Sequence, residues 1–323
     1  MRRGAGVWRL KGVVLNVSWA APKVGVVLLN WNSGRLTTAC IESLLAMDSK
    51  PWRIIVIDNG SSDGSPERIA AAFPAAGILR NEVNLGFAGG SNMGICELLS
   101  AGADYIWLLN NDTKVDRGCL AALLGAMETD RGIAAATGKI LYSVPADMIW
   151  YAGGVLKYWG CTAVHRGART RDMGQFDQAE DVGFISGCCA LLRREAVDEV
   201  GLLDERFFAY SEDFDWCLRA RQLKLRLRYV PQAVLWHEVS ASVRKNTLTS
   251  SGGTASPLAH YLATRNQLFI IRKHRESVAQ AAAALLQLSG RVLYTSIGLL
   301  VLRRWDKLGS LWRGVWHGLW RNL

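Results

Sequence analysis

An apolar run that ends in NND, at residues 107–112, has the residue types of a divalent-metal site. A carboxylate at a strand end can hold a hard cation such as Mg²⁺ or Mn²⁺, which prefers oxygen ligands and keeps waters and substrate phosphates. Asn110 stands where a second carboxylate would be expected, so Asp112 alone would provide the charge. A polar turn is the alternative interpretation of this segment.

A second acidic segment, SEDFD at residues 211–215, places three carboxylates at a predicted helix start. The helix dipole favours acids there, but three acids in five residues exceed what capping requires. An aspartate directed at a crevice could act as a general base. Downstream, His237 follows a predicted strand and could be a neutral imidazole ligand, although a lone histidine is more often structural.

Two further segments have residues suited to a nucleotide. Asp58 ends an apolar run and enters a segment rich in turn formers, so it could accept hydrogen bonds from a base or ribose, or simply form an Asx turn. The glycine-rich residues 84–94 open a helix and let backbone N–H groups approach an anion or a flat ring. They match neither the dinucleotide fingerprint nor the P-loop, and a helix start with small packing residues is the alternative.

The elements that must position these residues alternate along the first half. Continuous apolar runs predict strands buried on both faces, with a short fourth strand near 78–80, and amphipathic segments between them predict helices. This order indicates an α/β unit with a parallel sheet, whose ligands bind beyond the carboxyl ends of the strands. All three long strand ends are polar, which predicts one shared crevice. The predicted strands are 24–30, 53–58 and 105–110, and the predicted helices are 36–47, 66–72 and one from 94 to about 100.

The second half is less regular and leads into a distinct tail. Strands and loops are predicted over 133–160, a helix from Glu212, and a strand over 225–230 before Pro231. The small-residue run at 250–257 is the predicted boundary. We therefore expect a poorly ordered leader at 1–22, a catalytic domain at 23–250, and a basic, Trp-rich helical tail at 257–323 that associates with a membrane.

Charge and aromatic content concentrate in that tail. The 323-residue chain has a net charge of +10, and residues 257–323 contain ten Lys or Arg but two acids, together with four of the 13 tryptophans. Basic, Trp-rich helices are typical of segments that lie in a membrane interface. A membrane-spanning helix at 278–302 is disfavoured because Arg291 lies mid-span, and a helical cap on the domain is a further alternative. The seven cysteines lack metal spacing and favour reduced thiols in a cytosolic compartment.

Taken in order, these motifs resemble those of glycosyltransferase family 2, the inverting GT-A enzymes that use nucleotide-diphosphate sugars, and most closely its rhamnosyltransferase-like branch. The resemblance covers residues 24–243 and, less specifically, YLATRN at 261–266. It implies a Rossmann-like α/β GT-A fold with a mixed, mainly parallel sheet and C-terminal amphipathic or apolar helices. The motifs are VLLNWN at 27–32, VIDNGSSD at 56–63, NLGFAGGSN at 84–92, LLNND at 108–112, GCCALLRR at 187–194, SEDFD at 211–215 and His237.

The resemblance also implies a role for each matching residue. Asp213 would be the general base, and Asp112 and His237 would hold Mg²⁺ or Mn²⁺ against the diphosphate. The implied nucleotide-sugar contacts are Asn30, Asn32, Asp58, Asn59, Asn84, Gly86, Phe87, Asn92, Asn110 and Asn111. The residues implied to face the sugar or acceptor are Gly187, Cys188, Arg194, Glu212 and Trp216.

The implied function is transfer of a sugar, with L-rhamnose from dTDP-L-rhamnose favoured, to a glycan or polyprenyl-linked acceptor in bacterial cell-surface polysaccharide synthesis. The expected location is the cytoplasmic face of the inner membrane, reached through the tail and an anionic lipid surface. Alternatives are a donor such as a UDP-hexose, UDP-galactofuranose or GDP-mannose, and a catalytically silent, membrane-bound nucleotide-sugar-binding protein. No nucleic acid is expected as a partner, because the tail lacks a recognisable nucleic-acid module.

Overall fold

The computed structural model describes residues 7–10, 13–16, 21–239 and 255–321. Within the predicted leader, strands β1 (Val7–Leu10) and β2 (Val13–Asn16) form an antiparallel hairpin that is separate from the main sheet. The other positions of 1–20 lie outside the described residues, as does most of the predicted boundary at 250–257. The disorder expected for 1–22 therefore stays a prediction.

The first half of the domain is the predicted alternation of strands and helices. Strands β5, β4, β3 and β6 lie side by side and parallel, because helices cross over between them. Nearly all apolar residues of β3, β4 and β6 are buried, as the continuous runs predicted, whereas those of the edge strand β5 are only partly buried. The elements are β3 (Val24–Asn30), α1 (Gly34–Leu45), β4 (Arg53–Asn59), α2 (Ser65–Ala72), β5 (Gly77–Asn81), α3 (Gly86–Ser100) and β6 (Tyr105–Leu109).

The second half extends this sheet with strands of both directions. Strand β13 is antiparallel to both its neighbours, β6 and β8, and β8 runs parallel to β14. The mixed sheet confirms the predicted fold class. The elements are β7 (Thr113–Val115), α4 (Cys119–Thr129), β8 (Ile133–Tyr142), β9 (Ile149–Tyr151), β10 (Gly154–Lys157), β11 (Thr162–His165), β12 (Glu180–Asp181), β13 (Cys189–Arg193), α5 (Arg194–Val200), α6 (Glu212–Gln222) and β14 (Arg226–His237).

Strand β14 corrects one predicted boundary. The strand was expected to end at 230, before Pro231, but it continues to His237. Its pairing with β8 shifts register between Val230 and Val234, so the proline lies in a bulge where its missing N–H breaks no ladder hydrogen bond. The extra residues place His237 at the same edge of the sheet as the ends of β3, β4 and β6.

Three helices follow: α7 (Pro257–His274), α8 (Val278–Val301) and α9 (Trp305–Trp320). Serine side chains cap the first two, since Ser256 Oγ and Ser277 Oγ each accept a backbone N–H at 3.1 Å. Helix α9 approaches α7 closely, because a Cβ at Gly318 would come within 2.6 Å of Leu268. Of the described helices, α8 alone is long and apolar enough to cross a membrane by length and composition.

Candidate active site

Asn30 is a buried hydrogen-bonding centre at the end of β3. Its Nδ2 lies 2.9 Å from Asp58 Oδ1 and 2.7 Å from Ser65 Oγ, and its Oδ1 accepts the Thr37 hydroxyl at 2.9 Å. The side chain is fully buried. The prediction of a direct nucleotide contact is therefore wrong for Asn30, which instead orients Asp58 because β3 and β4 pair in register at these two residues.

The Asp58 side chain is buried at the end of β4, and both its carboxylate oxygens accept hydrogen bonds. Oδ1 accepts from Asn30, and Oδ2 accepts the Ser61 N–H at 3.1 Å. The same turn fixes the exposed Asn32, whose Oδ1 accepts the Ser62 N–H at 2.9 Å and whose backbone adopts a φ of 50°. Carboxylate lone pairs that remain can accept hydrogen bonds from a ribose or base.

The end of β6 joins the same network. Asn111 Nδ2 donates to Thr37 Oγ1 at 2.8 Å, and Thr37 in turn donates to Asn30. The backbone N–H of Asn110 donates to Cys188 O at 3.0 Å, which ties this strand end to the segment before β13. Hydrogen bonds thus join the three polar strand ends in one network, and the predicted shared crevice stays a prediction.

The glycine loop is held against β4 by Asn59. Its Nδ2 donates to Gly86 O at 2.9 Å and to Asn84 Oδ1 at 3.2 Å, and Asn84 Oδ1 also accepts the Gly86 N–H at 2.8 Å. Asn59 itself is buried. Its observed part is to shape the loop whose backbone would meet the nucleotide sugar.

Asn92 does not face the crevice, which corrects its predicted nucleotide contact. It is buried in α3, where its Nδ2 donates to Leu203 O and Glu205 Oε1 at 2.9 Å and its Oδ1 accepts the Leu203 N–H at 3.0 Å. These bonds join α3 to the segment that precedes the SEDFD helix. Asn92 therefore positions that segment.

The glycine loop contacts the base segment, residues 206–211 before the predicted base Asp213, at Phe208. Phe208 has φ 65° and ψ −65°, and the Ala209 N–H donates to Phe207 O at 2.8 Å, which is a strained γ-turn. Phe208 O accepts the Ala88 N–H at 3.1 Å, beside Gly86 with its φ of +76°. Tyr210 and Ser211 also have positive φ, at 68° and 74°. Such backbone conformations cost about 1–3 kcal/mol each and persist where surrounding structure imposes them.

Asp213 is partly buried at the first turn of α6 and is held as a carboxylate. Its Oδ2 accepts the Gly187 N–H at 2.8 Å and its Oδ1 accepts the Phe214 N–H at 2.7 Å. Burial raises the pKa of Asp213 above its usual value, while these backbone bonds oppose that shift. A carboxylate with a raised pKa beside a cavity, here one lined by Phe87, Gly187 and Trp216, has the properties of a general base. The Phe87 ring lies beside Gly187 on the same side.

Glu212 is the buried carboxyl next to Asp213. Burial raises its pKa well above the usual value and the charge of Asp213 adds to the shift. Its buried Oε2 has no hydrogen-bond partner within the described residues, whereas Asp213 receives two N–H groups. Burial therefore disfavours a charge on Glu212, whereas two N–H groups stabilise a charge on Asp213. Because Glu212 is buried, it does not face an acceptor as predicted.

Asp112 and His237 come together at the edge of the sheet. His237 Nε2 lies 3.0 Å from Asp112 Oδ1, and the Glu238 N–H donates to Asp112 O at 2.7 Å. The His237 ring is held edge-on to Trp150, and its buried Nδ1 is unpaired in the part of the chain that the structure describes. Two adjacent ligands of an octahedral cation at about 2.1 Å lie roughly 3.0 Å apart, so this pair fits a divalent metal.

The protein supplies few ligands there. Among residues 7–10, 13–16, 21–239 and 255–321, no group of three or more His, Cys, Asp or Glu could hold a metal. Most of the coordination would therefore come from diphosphate oxygens and water, as is usual for Mg²⁺.

The other three residues predicted to face the sugar or acceptor are Arg194, which lies away from Asp213, and Trp216 and Cys188, which are buried near it. Arg194 is at the opposite end of the sheet, where it donates to Leu99 O at 2.9 Å, because antiparallel β13 carries it back past the start of β6. Trp216 is buried and donates to Gly201 O at 2.9 Å. Cys188 is also buried, and burial raises its thiol pKa well above the usual value. Of that group, Gly187 alone bonds directly to Asp213 through its backbone.

Several residues of the site gave no usable signal in the sequence. Thr37, Ser61 and Ser65 complete the network around Asn30, and Trp150 supports His237. Small hydroxyl residues and single tryptophans are too common for their position to predict such contacts.

The match to known proteins decides the family. The family model described as Glycosyl transferase family 2 matches residues 26–201, which is more than half of the chain. The chain belongs to glycosyltransferase family 2. The match spans β3 to α5 and therefore includes Asp58, Asp112 and the glycine loop, while Asp213 and His237 lie beyond it.

Two curated relatives are similar to this chain in sequence, and one solved structure is similar to it in fold. The N-acetylglucosaminyl-diphospho-decaprenol L-rhamnosyltransferase of Mycobacterium tuberculosis is 26% identical over 275 residues, covering 78% of this chain and 84% of the relative. The dTDP-rhamnosyl transferase RfbF of Shigella flexneri is 24% identical over 227 residues, covering 68% and 71%. The mannosyltransferase PcManGT from Pyrobaculum calidifontis, in complex with GDP-Man and Mn²⁺, shares the GT-A fold with a TM-score of 0.56, 15% identity and coverage of 94% and 89%.

Proposed function

We propose that this family 2 glycosyltransferase is an inverting, metal-dependent enzyme that transfers a sugar, with L-rhamnose from dTDP-L-rhamnose favoured, to a hydroxyl of a glycan or lipid-linked acceptor. The observation that carries the proposal is the Asp213 carboxylate, fixed by two backbone N–H groups, one of them from Gly187, which directly precedes the residue that is bonded to the end of β6 at Asn110. The synthesis of a bacterial cell-surface polysaccharide is the process in which such a transfer would serve.

The reaction follows from where charge and protons reside. Asp213 takes the proton from the acceptor hydroxyl, whose oxygen forms a bond to the anomeric carbon. The bond from that carbon to the diphosphate oxygen breaks, and its electron pair leaves with the nucleoside diphosphate. One in-line displacement inverts the anomeric centre. Glu212 keeps its own proton, so a single carboxylate of the pair acts as base.

The residues that would hold the metal are Asp112 and His237. A divalent cation there supplies Lewis-acid stabilisation of the leaving diphosphate. The chain's part is to present the Asp112 carboxylate and to keep His237 oriented against Trp150. The GT-A structure solved with GDP-Man and Mn²⁺ supports this proposal.

The choice of donor rests on the two rhamnosyltransferase relatives. Purified full-length protein should be assayed for hydrolysis and transfer with dTDP-L-rhamnose, UDP-hexoses, UDP-galactofuranose and GDP-mannose. We expect turnover of dTDP-L-rhamnose. Turnover of a UDP-hexose without turnover of dTDP-L-rhamnose would overturn the donor while leaving the transferase in place.

The alternative hypothesis from another functional class is a catalytically inactive membrane protein that binds nucleotide sugars. It would bind donors and turn over none of them. An Asp213→Asn variant separates the two, since it should fold and bind donor while losing transfer. Activity of the folded Asp213→Asn variant near that of the native chain would remove Asp213 from the role of base.

The tail supports peripheral attachment to an anionic membrane at the cytoplasmic face. In α9, Trp305, Trp312, Trp316 and Trp320 are all exposed, each at more than half of its surface, and recur on one side of the helix. The opposite side carries Gly314 and Gly318 against α7. Exposed tryptophans on a basic helix suit the interfacial layer of a bilayer. This arrangement also fits an acceptor carried on a membrane lipid.

A further inference from the structure

The loop that leads into α6 is held by two side chains of the tail helix α7. Asn266 Nδ2 lies 3.1 Å from Phe207 O, 2.8 Å from Ala209 O and 2.6 Å from Tyr210 O. Asn266 is fully buried. A single amide nitrogen therefore faces three backbone carbonyls of the strained γ-turn segment, three to six residues before Asp213.

Arg265 also donates hydrogen bonds to this loop. Its Nη2 donates to Arg206 O at 2.9 Å and to Phe207 O at 2.7 Å, and its Nε donates to Asn266 Oδ1 at 2.9 Å. The last bond fixes which end of the Asn266 amide points to the carbonyls, because a guanidinium can only donate. The two side chains act as one unit.

The other end of α7 grips the helix that carries Asp213. Asp215, fully buried two residues after the base, accepts Lys273 Nζ and His274 Nε2, each at 2.7 Å from Oδ1. Its Oδ2 accepts Arg219 Nε at 2.9 Å, within α6 itself. Helix α7 thus contacts the polypeptide on both sides of Asp213.

We propose that α7 is a brace that sets the position of the Asp213 carboxylate, with Arg265, Asn266, Lys273 and His274 as positioning residues for the transfer reaction. The proposal rests on the proposed function, since Asp213 must be the base. Three residues of this segment, Phe208, Tyr210 and Ser211, have positive φ, and such conformations persist where the surrounding structure imposes them. A catalytic group must also be held to within a fraction of an ångström. The brace lies outside the part of the chain that the family model matches.

The next residue on α7 provides a matched control. Gln267 Nε2 also donates to two backbone carbonyls, Gly160 O at 3.1 Å and Cys161 O at 2.8 Å. These carbonyls belong to the turn between β10 and β11 and not to the base loop. Asn266→Ala and Gln267→Ala therefore remove the same kind of bond from the same helix. Only the bonds of Asn266 reach the segment that precedes Asp213.

The test compares transfer kinetics of the full chain in these variants, using the donor that the native protein turns over. We expect Asn266→Ala to lower kcat by about 10- to 100-fold, the scale of a roughly 1 Å misplacement, with donor KM unchanged. Gln267→Ala should keep the native kcat. Hydrogen exchange of peptides covering residues 206–216 should accelerate in Asn266→Ala and not in Gln267→Ala.

A second pair of variants covers the case in which Asn266→Ala does not fold. His274→Ala removes a bond to Asp215, whereas His274→Gln keeps a donor near the position of Nε2. We expect kcat to fall in His274→Ala and to recover in His274→Gln. A merely structural role would lower the amount of folded protein and leave the kcat of the folded fraction unchanged.

The outcomes separate this inference from the proposed function. Native kcat in Asn266→Ala, together with loss of transfer in Asp213→Asn, overturns the brace and leaves the base assignment intact. Equal loss in Asn266→Ala and Gln267→Ala also overturns it. Retained transfer in Asp213→Asn overturns the base and with it the brace as a device for catalysis.

Discussion

Gly86→Ala tests whether the glycine loop and the base segment form one unit. Gly86 has a φ of +76°, and a Cβ there would come within 2.7 Å of the Phe208 ring and still closer to Phe208 O. That carbonyl accepts the Ala88 N–H and lies in the γ-turn before Asp213. The methyl group must therefore displace the turn that leads to the base.

Gly102→Ala supplies the control for backbone strain. Gly102 has a φ of +86°, and a Cβ there would meet nothing within 4 Å. Both variants pay about 1–2 kcal/mol for left-handed backbone and gain the same unfolded-state entropy, so these contributions cancel in the comparison. What remains for Gly86→Ala is overpacking and a lost hydrogen bond. Together they should lower its free energy of unfolding by about 1–3 kcal/mol more than in Gly102→Ala.

Urea unfolding of both variants measures this difference, and steady-state transfer kinetics measure the consequence at the site. We expect kcat to fall by about 10-fold or more in Gly86→Ala, because Phe208 moves the segment that positions Asp213. Gly102→Ala should keep the native kcat, since it lies at the other end of α3. Equal losses of stability in the two variants, or a native kcat in Gly86→Ala, would refute the reasoning.

Three further predictions concern the base, the metal and the membrane. Burial raises the pKa of Asp213 and its carboxylate is the active form, so kcat should fall as the pH drops through that raised pKa. Glu212→Gln should keep this fall in kcat at acidic pH. Loss of the fall in Glu212→Gln would assign the base to Glu212. Asp112→Asn should raise the Mg²⁺ or Mn²⁺ concentration for half-maximal transfer by about 10-fold or more after EDTA treatment, whereas an unchanged metal titration would remove Asp112 from the metal site. Trp316→Ala should weaken co-sedimentation with anionic vesicles about 3-fold or more, and Trp159→Ala, an exposed tryptophan outside the tail, should not; equal effects would place the contact elsewhere.

Much of the site could be predicted because its signals are local. The NND and SEDFD segments and His237 were identified from residue type and position, and the structure brings Asp112 and His237 to 3.0 Å. The alternation of strands and helices followed from continuous apolar runs, which report burial on both faces without reference to distant residues. The family match and the GT-A fold confirm that reading.

The wrong predictions share one physical cause, which is that contacts far apart in sequence decide where a side chain points. Asn30 and Asn92 have the chemistry to bind a nucleotide, but partners 28 and 111 residues away bury them as positioning residues. Arg194 is the last residue of the GCCALLRR motif, yet the antiparallel direction of β13 places it at the far end of the sheet.

The sequence by itself determined the α/β order, the three polar strand ends and the acids available for chemistry, because periodicity and residue type act within a few residues. Only the tertiary structure decided how the environments of the two acids at 212–213 differ, since two N–H groups reach Asp213 and, within the described residues, none reaches Glu212 Oε2. It also decided that α7 contacts the segment before Asp213 through Asn266 and contacts α6 through the His274–Asp215 pair. Hydrogen-bond partners separated by more than fifty residues are set by how the chain folds back on itself, which no local pattern encodes.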